Sequence, residues 1–365
     1  MKSNKIVFIA NSLSIQRVIK RINSFVDAGY NVEVYGFMRS DVGHNGNVDI
    51  RFKYSVIGEF PNSMPYIKRL FLMHKCIKDI IPSVSDGNTL LYLFGLETAL
   101  VTTRLTKTPY VYEEADLVHT YIGNRFVRSF LEKKDVNIIK KSQLTVLTSE
   151  GFVDYHFGIN PPSNITVVSN RLNPSVLNLK KETKPNLDVK HLKFGFVGSF
   201  RFDSIVNFCR VFVKEYPQHE MHVYGVIDDT NRAFFSQFDN FYYHGPFKNP
   251  DDLPNIYANI DLSLSTYDAT TVNARYAEPN KMYEAIYFDT PIIVSKDTYL
   301  EKKVRNLGIG YAIDALADEE ILSFVNGLSI ESIDKCVYNL KKINKSEAVN
   351  STDKLFEHIN KIVLN

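Results

Sequence analysis

Residues 278–295 of this chain read EPNKMYEAIYFDTPIIVS. Pro279 suits the first turn of a helix, because its missing N–H would be unbonded there in any case. Met282 and Ile286 then repeat at helical spacing, which predicts a short helix with one apolar face. Residues 291–294 predict a strand that is buried on both faces, as in a parallel sheet. The stretch therefore indicates an α/β fold in which a helix is followed directly by a buried strand.

The start of this helix carries side chains that suit a nucleotide. The free N–H groups of a helix N-terminus attract anions, and Lys281 adds a cation, so the two together predict a diphosphate site. Glu284, one turn later, can accept two hydrogen bonds from the hydroxyls of a ribose. The alternative is a surface helix with a solvated Lys and Glu.

The same stretch resembles the nucleotide-sugar motif of GT-B fold glycosyltransferases, especially the family 4 type used for bacterial surface polysaccharides. The matching residues are Pro279, Asn280, Lys281 and Glu284. In that family the second Glu of a Glu-x7-Glu motif holds the donor ribose, and this role would fall on Glu284. The first Glu would fall on Tyr276, and Glu278 stands two residues later as the catalytic candidate.

Length and composition are typical of a soluble globular protein with two domains. The chain has 365 residues, of which 44% are hydrophobic and 23% charged. No apolar run reaches the ~20 residues that a membrane-spanning helix needs, and the first residues run into a strand rather than a signal peptide. Cys76, Cys209 and Cys336 are far apart, which favours a reducing cytoplasm over disulfides.

Charge is divided unevenly along the chain. Residues 1–185 contain 24 Lys and Arg against 16 Asp and Glu, whereas residues 186–365 contain 19 against 25. A basic first half suits a membrane surface or an acceptor that carries phosphate. Nucleic acid is the weaker interpretation, because no nucleic-acid motif accompanies the charge.

The first half begins with a βαβ pattern, in which a strand over 5–10 and a helix over 15–28 precede a strand over 31–37. It lacks a Gly-x-Gly-x-x-Gly loop, which argues against an NAD enzyme. Residues 64–81 predict a basic amphipathic helix. This helix either packs on the sheet with a solvated basic face or contacts a membrane, and both hold if it borders the acceptor site.

An acidic segment follows the predicted strand at 109–112, and its titratable side chains are Glu113, Glu114, Asp116 and His119. Such a cluster at a strand end is costly unless it faces a ligand or finds partners. The resemblance to family 4 proteins implies that one of them contacts the acceptor hydroxyl, with a general-base role if the reaction is inverting. The alternative is a solvated acidic loop that caps the next helix.

The second half opens with a strand over 192–197, and Gly198 and Ser199 follow it. A Gly at this point allows close approach of a phosphate to the backbone. The resemblance pairs Arg201 with Lys281 on the donor diphosphate, as two fixed cations that replace a metal ion. No Asp-x-Asp occurs in the chain, so we expect neither a metal nor another cofactor. By the same resemblance, strands that end near Gly225, His244 and Gly245 bracket the nucleobase.

We therefore predict a GT-B enzyme of two Rossmann-like domains with parallel sheets that face a central cleft. Residues 1–185 would bind the acceptor, 186–345 the nucleotide sugar, and 346–365 would form a helix that packs toward the first domain. The predicted reaction transfers a sugar from a UDP-sugar to a glycan or lipid-linked acceptor in capsule, O-antigen or exopolysaccharide synthesis, with retained configuration. The predicted location is the cytoplasm, at the inner face of the membrane.

Two other functions remain open on the sequence. A UDP-sugar 2-epimerase shares this architecture and acts without an acceptor, although the basic first half argues mildly against it. A non-catalytic nucleotide-sugar-binding homologue is the other alternative, because Tyr276 stands where the family has its first Glu. Release of UDP from a donor separates the transferase from both.

Overall fold

The computed structural model describes residues 5–41 and 49–364, without the side chain of Leu364. Two compact units divide the chain: residues 1–168 with 352–365, and residues 169–351. Every strand pairing within the described residues is parallel. This confirms the predicted pair of Rossmann-like α/β units.

The first unit contains a sheet of seven strands in the order β3-β2-β1-β4-β5-β6-β7. The strands are β1 (Lys5–Ala10), β2 (Val32–Arg39), β3 (Tyr54–Phe60), β4 (Thr89–Phe94), β5 (Tyr110–Glu114), β6 (Leu144–Leu147) and β7 (Ile165–Val167). The helices are α1 (Gln16–Asp27), α2 (Tyr66–Val84), α3 (Leu96–Leu105), α4 (Arg125–Lys141) and α5 (Glu150–Phe157). A 3-10 turn, Val118–Tyr121, lies between β5 and α4.

Both faces of this first sheet are covered. Side chains of α2, α3 and α4 form one apolar cluster with the sheet. On the other face α1 packs together with the C-terminal helix, which places Leu355 and Ile359 in the core. The continuous apolar run of β1 is explained by this two-sided burial, since residues 6–10 are all buried.

The second unit contains a sheet of six strands in the order β10-β9-β8-β11-β12-β13. The strands are β8 (Lys193–Phe200), β9 (Glu220–Ile227), β10 (Phe241–Gly245), β11 (Leu262–Ser265), β12 (Ile292–Ser295) and β13 (Gly310–Ile313). The helices are α6 (Asp203–Glu215), α7 (Asp229–Phe235), α8 (Leu253–Ala258), α9 (Val272–Tyr276), α10 (Asn280–Tyr287), α11 (Tyr299–Leu307), α12 (Asp318–Asn326) and α13 (Ile330–Lys342). The last helix, α14 (Asp353–Leu364), is the C-terminal helix of the first unit, and 3-10 turns lie at Pro174–Asn178 and Lys345–Ala348.

Two local expectations differ from the structure. Strand β8 continues to Phe200, so Gly198 and Ser199 lie within the strand and not in a turn after it. The predicted boundary at 185 lies inside the second unit, because Lys181 donates to the carbonyl of Tyr287 at 2.6 Å and Lys184 to that of Ile260 at 3.2 Å. The segment over 177–189 is therefore anchored to the second unit and is not a free linker.

The described helices include none that is both long enough and apolar enough to cross a membrane.

Candidate functional site

The predicted nucleotide motif lies near the point where the strand order of the second sheet reverses. In a sheet with this strand order, ligands bind at the carboxyl edge, beside the point where the order reverses. That point lies between β8 and β11. Helix α10 begins at Asn280 after an extended Pro279, and no described side chain caps its first turn. The first turn of α10 is therefore suited to an anion.

Lys281 and Glu284 are paired in the interior. The Lys281 ammonium lies 3.0 and 2.9 Å from the two carboxylate oxygens of Glu284. Tyr257 of α8 donates its hydroxyl to Glu284 at 2.6 Å, and the amide of Asn280 donates at 3.3 Å. Glu284 is fully buried, and the Lys281 side chain is 10% exposed. The carboxylate is thus bound by three protein donors, whereas the Lys281 side chain remains slightly accessible to solvent.

Two glycines lie beside this pair. Gly198 and Gly225 face each other across β8 and β9. A Cβ on Gly225 would lie 1.9 Å from the carbonyl oxygen of Gly198, so a side chain is excluded there. A Cβ on Gly198 would lie 3.8 Å from Cε of Lys281. The absence of both side chains leaves the backbone open next to the Lys281 side chain.

Ser199 and Arg201 both have exposed side chains. The Arg201 guanidinium lies 5.0 Å from the ring of Phe202. Arg201 is therefore available to contact a ligand at the carboxyl edge of β8.

A cavity of about 450 Å³ lies beside α8, at the edge of the sheet. Its lining includes Tyr224, His244, Gly245 and Phe247. The Tyr224 and His244 rings stack with centroids 4.2 Å apart, and the ring of Phe247 lies 5.9 Å from the Lys281 ammonium. Of the residues predicted near the nucleobase, His244 and Gly245 therefore line this cavity, whereas Gly225 is not part of its lining. Phe247 connects the cavity to the start of α10.

The stack continues from His244 to His222 along the sheet face. Nδ1 of His222 lies 3.0 Å from Nε2 of His244, so one ring donates and the other accepts. Glu220 lies 2.8 Å from the other nitrogen of His222. Burial lowers the pKa of both imidazoles, and in His244 the neighbouring His222 lowers it further. This histidine pair is therefore neutral at neutral pH.

Glu278 lies in a separate contact. Its Oε1 forms an ion pair with Lys303 of α11, and Ser169 donates to its Oε2 at 3.4 Å. The residue is only 6% exposed. The structure thus places Glu278 in an ion pair in which the carboxylate is buried and the lysine is partly exposed.

In the first unit, three of the four predicted acceptor residues are buried. Glu113 accepts from Arg21 at 2.9 Å and from Tyr92 at 2.5 Å. His119 is fully buried against Asp135, whereas Asp116 is exposed. Of the four, only Asp116 has a side chain that reaches solvent.

Glu114 belongs to a second buried group. Its Oε2 lies 2.9 Å from Nε2 of His156, and its neighbour on the other side is Asp135. Burial, and then the charge of Asp135, raises the pKa of Glu114 to about 8. Burial acts to lower the pKa of His156, but the charge of Glu114 raises it to about 8.

Neither the family models nor the curated proteins contain a match to this chain. Among solved structures, HepE of Anabaena in complex with UDP is similar over 99% of both chains, with 14% identity and a TM-score of 0.68. Sucrose-phosphate synthase from Thermosynechococcus elongatus is similar over 98% of both chains, with 13% identity and a TM-score of 0.68. The chain has the GT-B fold. A proposed UDP-N-acetylglucosamine 2-epimerase from Listeria monocytogenes matches 99% of this chain and 96% of its own, with 11% identity and a TM-score of 0.60. At such identities the likeness establishes the GT-B fold alone.

The sequence analysis of this GT-B chain did not identify three residues: Tyr257 and Phe247, which lie beside Lys281 and Glu284, and Asp135, which lies beside Glu114. Tyr257 and Phe247 gave no signal, because an aromatic residue near a helix is ordinarily core. Asp135 did give one: it stands at helical spacing between Leu131 and Ile138, which places an acid on the buried face of α4.

Proposed function

We propose that this protein is a glycosyltransferase that moves a sugar from a UDP-sugar to an acceptor. The observation that carries the proposal is Lys281 at the start of α10, beside the glycine pair and the aromatic cavity. Solved structures of HepE contain UDP and UDP-glucose on the same fold. That likeness supports a nucleotide sugar as the ligand of the second unit.

The diphosphate would bind at the first turn of α10. Its N–H groups and the ammonium of Lys281 supply positive charge there, and Arg201 supplies more from the end of β8. Gly198 and Gly225 would let the phosphates approach the backbone, with Ser199 as a further donor. When the bond between the sugar and the diphosphate breaks, these groups stabilise the charge that develops on the leaving oxygen.

The nucleoside would bind next to the diphosphate, with its base in the cavity and its ribose at Glu284. The cavity of about 450 Å³ lies within the usual size range of small-molecule sites, and the faces of Tyr224 and His244 suit a planar base. Glu284 would accept hydrogen bonds from the ribose. Because its oxygens are held by Lys281, Tyr257 and Asn280, we infer that the diphosphate draws Lys281 away and frees the carboxylate.

The acceptor hydroxyl would be contacted by Asp116, the exposed member of the acidic segment. Glu113 and His119 would then act through packing, since each is bound to buried partners. We propose a retaining and metal-independent reaction, in which the protein positions donor and acceptor and stabilises the departing diphosphate. Glu278, held by Lys303, is assigned no chemical step.

We further propose a glycan or lipid-linked acceptor of capsule, O-antigen or exopolysaccharide synthesis, at the cytoplasmic face of a membrane. Exposed apolar side chains lie near the N-terminal ends of α2 and α4, at the carboxyl edge of the first sheet. Phe71 is 74% exposed and Phe126 is 85% exposed, and exposed basic residues such as Lys75 and Arg125 accompany them. Aromatic and basic side chains in this combination suit an anionic bilayer.

A vesicle assay tests the membrane contact. We expect the protein to sediment with vesicles of phosphatidylglycerol and phosphatidylcholine, and the double variant Phe71→Ser/Phe126→Ser to remain in the supernatant. Tyr338→Ser, which removes an aromatic side chain 60% exposed on α13, is the matched control and should sediment like the wild type. Equal sedimentation of both variants would remove the membrane contact from the proposal.

The reaction itself is tested by UDP release. Incubation with UDP-sugars and a membrane extract of polysaccharide-producing bacteria should release UDP. Asp116→Asn should lower the rate by roughly 10–10²-fold, because a hydrogen bond from the acceptor hydroxyl to a charged group contributes about 1.5–3 kcal/mol. The likeness to the proposed 2-epimerase favours a second candidate, which would change the sugar of the donor without an acceptor. Isomerised UDP-sugar would support the epimerase, and binding without any turnover would support a non-catalytic protein.

A further inference from the structure

A group of buried ionisable side chains in the first unit is not used by the proposed transfer. Glu114 is the last residue of β5, Asp135 lies in the middle of α4, and His156 lies in α5. Each offers a ligand atom, and these atoms all lie within 4.8 Å of one another. The exposed fraction is 1% for Glu114 and 0% for the side chains of Asp135 and His156.

The bonds inside this group leave two polar atoms unsatisfied. Oε1 of Glu114 and Nδ1 of His156 are buried without a hydrogen-bond partner. Within the part of the chain that the structure describes, neither Glu114 nor Asp135 pairs with a Lys or Arg. Two carboxylates that share a buried space need a proton or a cation between them.

We propose that Glu114, Asp135 and His156 bind one divalent transition-metal ion of the Zn²⁺ type. Carboxylate oxygen and imidazole nitrogen are both ordinary Zn²⁺ ligands. Bonds of about 2.0–2.2 Å hold such ligands within about 4 Å of each other, so small side-chain adjustments close the set. Three protein ligands leave one coordination position for water.

Partners outside the three residues already orient one ligand. Tyr112 donates its hydroxyl to Oδ1 of Asp135 at 2.9 Å, and Nδ1 of His119 lies 3.2 Å from Oδ2. Hydrogen bonds of this kind fix a ligating carboxylate and are a regular part of metal sites. The orientation of Asp135 is thus set by side chains that would not touch the metal.

The ion would tie together three elements of the first unit. It would join the end of β5 to α4 and α5, directly before the loop that carries Asp116. Its role would be structural, and it does not depend on whether the second unit binds a nucleotide. The expected absence of a metal at the donor diphosphate is a separate matter.

Metal analysis of the untagged protein tests this inference. After purification and dialysis, we expect about one equivalent of Zn²⁺ or another divalent transition metal per chain by mass spectrometry. His156→Gln should lower this content roughly tenfold or more. His74→Gln, which removes an exposed histidine of α2, is the matched control and should keep the metal.

A second measurement does not depend on any variant. Chelator-treated wild type should melt at a lower temperature, and added Zn²⁺ should restore the melting temperature. Wild type that carries no metal and does not respond to Zn²⁺ or Mn²⁺ would overturn the inference, and the group would then be held by shared protons. A melting temperature that responds to UDP but to no metal would retain the proposed function and reject the metal site.

Discussion

Glu284 is a carboxylate in the protein interior, and Lys281 is the single cation bound to it among the described contacts. Tyr257, which also binds it, is kept protonated because burial and the charge of Glu284 raise its pKa well above the ordinary value. A buried pair of this kind contributes little net stability, but removal of one partner leaves an uncompensated charge. The two residues can therefore be tested separately from each other and as a pair.

We expect Lys281→Ala to lower the free energy of unfolding by about 3–5 kcal/mol, since Glu284 would stay buried without its cation. The double variant Lys281→Met/Glu284→Gln should recover most of this loss, because the amide oxygen of the substituted side chain can still accept from Tyr257. Urea denaturation measures both. A single variant as stable as the wild type would show that Glu284 is not charged in the interior.

The sequence indicates Lys281 and Glu284 but cannot indicate that they bind each other. Their spacing of three residues allows either a shared ligand or a direct ion pair. Tyr257 of α8, which lies 27 positions before Glu284, favours the direct ion pair because it donates to Glu284 and buries it. In the same way, Glu113 is buried because Arg21, 92 positions away, neutralises it. Long-range partners of this kind leave no local pattern.

Strands β9 and β10 carry aromatic and titratable side chains on one face. Tyr242, His222, His244 and Tyr224 stack along it, with ring centroids 4.9, 5.2 and 4.2 Å apart. Burial lowers the pKa of both histidines. The unfolded chain therefore binds more protons than the folded chain as the pH falls through the ordinary histidine range.

This element predicts a loss of stability in acid. The contribution of these histidines to stability should be fully present above the unfolded histidine pKa of about 6.5. At lower pH the stability should decrease, because the folded state resists protonation. We expect His244→Phe, which keeps the stack on Tyr224, to reduce the drop in melting temperature between neutral and mildly acidic pH. His191→Phe, at an exposed histidine, serves as the control. An unchanged drop in His244→Phe would contradict the assignment.

Elements with one continuous pattern are predictable from the sequence, and those shaped by neighbours are not. The continuous apolar run of β1 predicts a strand over 5–10, and the structure has the same bounds, Lys5–Ala10. The pattern of β8 predicts an end before Gly198, since Gly usually marks a turn. The strand continues to Phe200 because Gly225 lies opposite Gly198 and lets the two backbones approach.

The whole chain passes from the first unit to the second and returns at residue 352. Helix α14 then packs on α1: Leu355 and Ile359 are fully buried, and the Phe356 ring lies 5.0 Å from that of Phe25. The first unit is therefore completed by the last residues of the chain. A hydrophobic pattern in residues 354–363 indicates a helix, and the resemblance implies that this helix packs toward the first domain. The structure adds that its contact is with α1.

This return predicts that the C-terminal helix supports the first unit. Large-to-small changes in a core cost about 2–5 kcal/mol each, so Leu355→Ala/Ile359→Ala should destabilise the first unit strongly. Lys354→Ala/Glu357→Ala, at exposed positions of the same helix, should change little. Amide hydrogen exchange of β1 and β4 measures the effect. Equal protection of these amides in both variants would show that α14 does not stabilise the core of the first unit.

The most direct test of the central claim is nucleotide binding at the start of α10. Thermal melts with UDP, GDP, ADP, TDP and CMP should show a rise in melting temperature with one nucleotide, and we expect UDP. The rise should vanish in Lys281→Met/Glu284→Gln and persist in Lys302→Met, at an exposed lysine of α11. A wild-type protein whose melting temperature responds to none of the five would contradict a nucleotide-sugar site in the second unit.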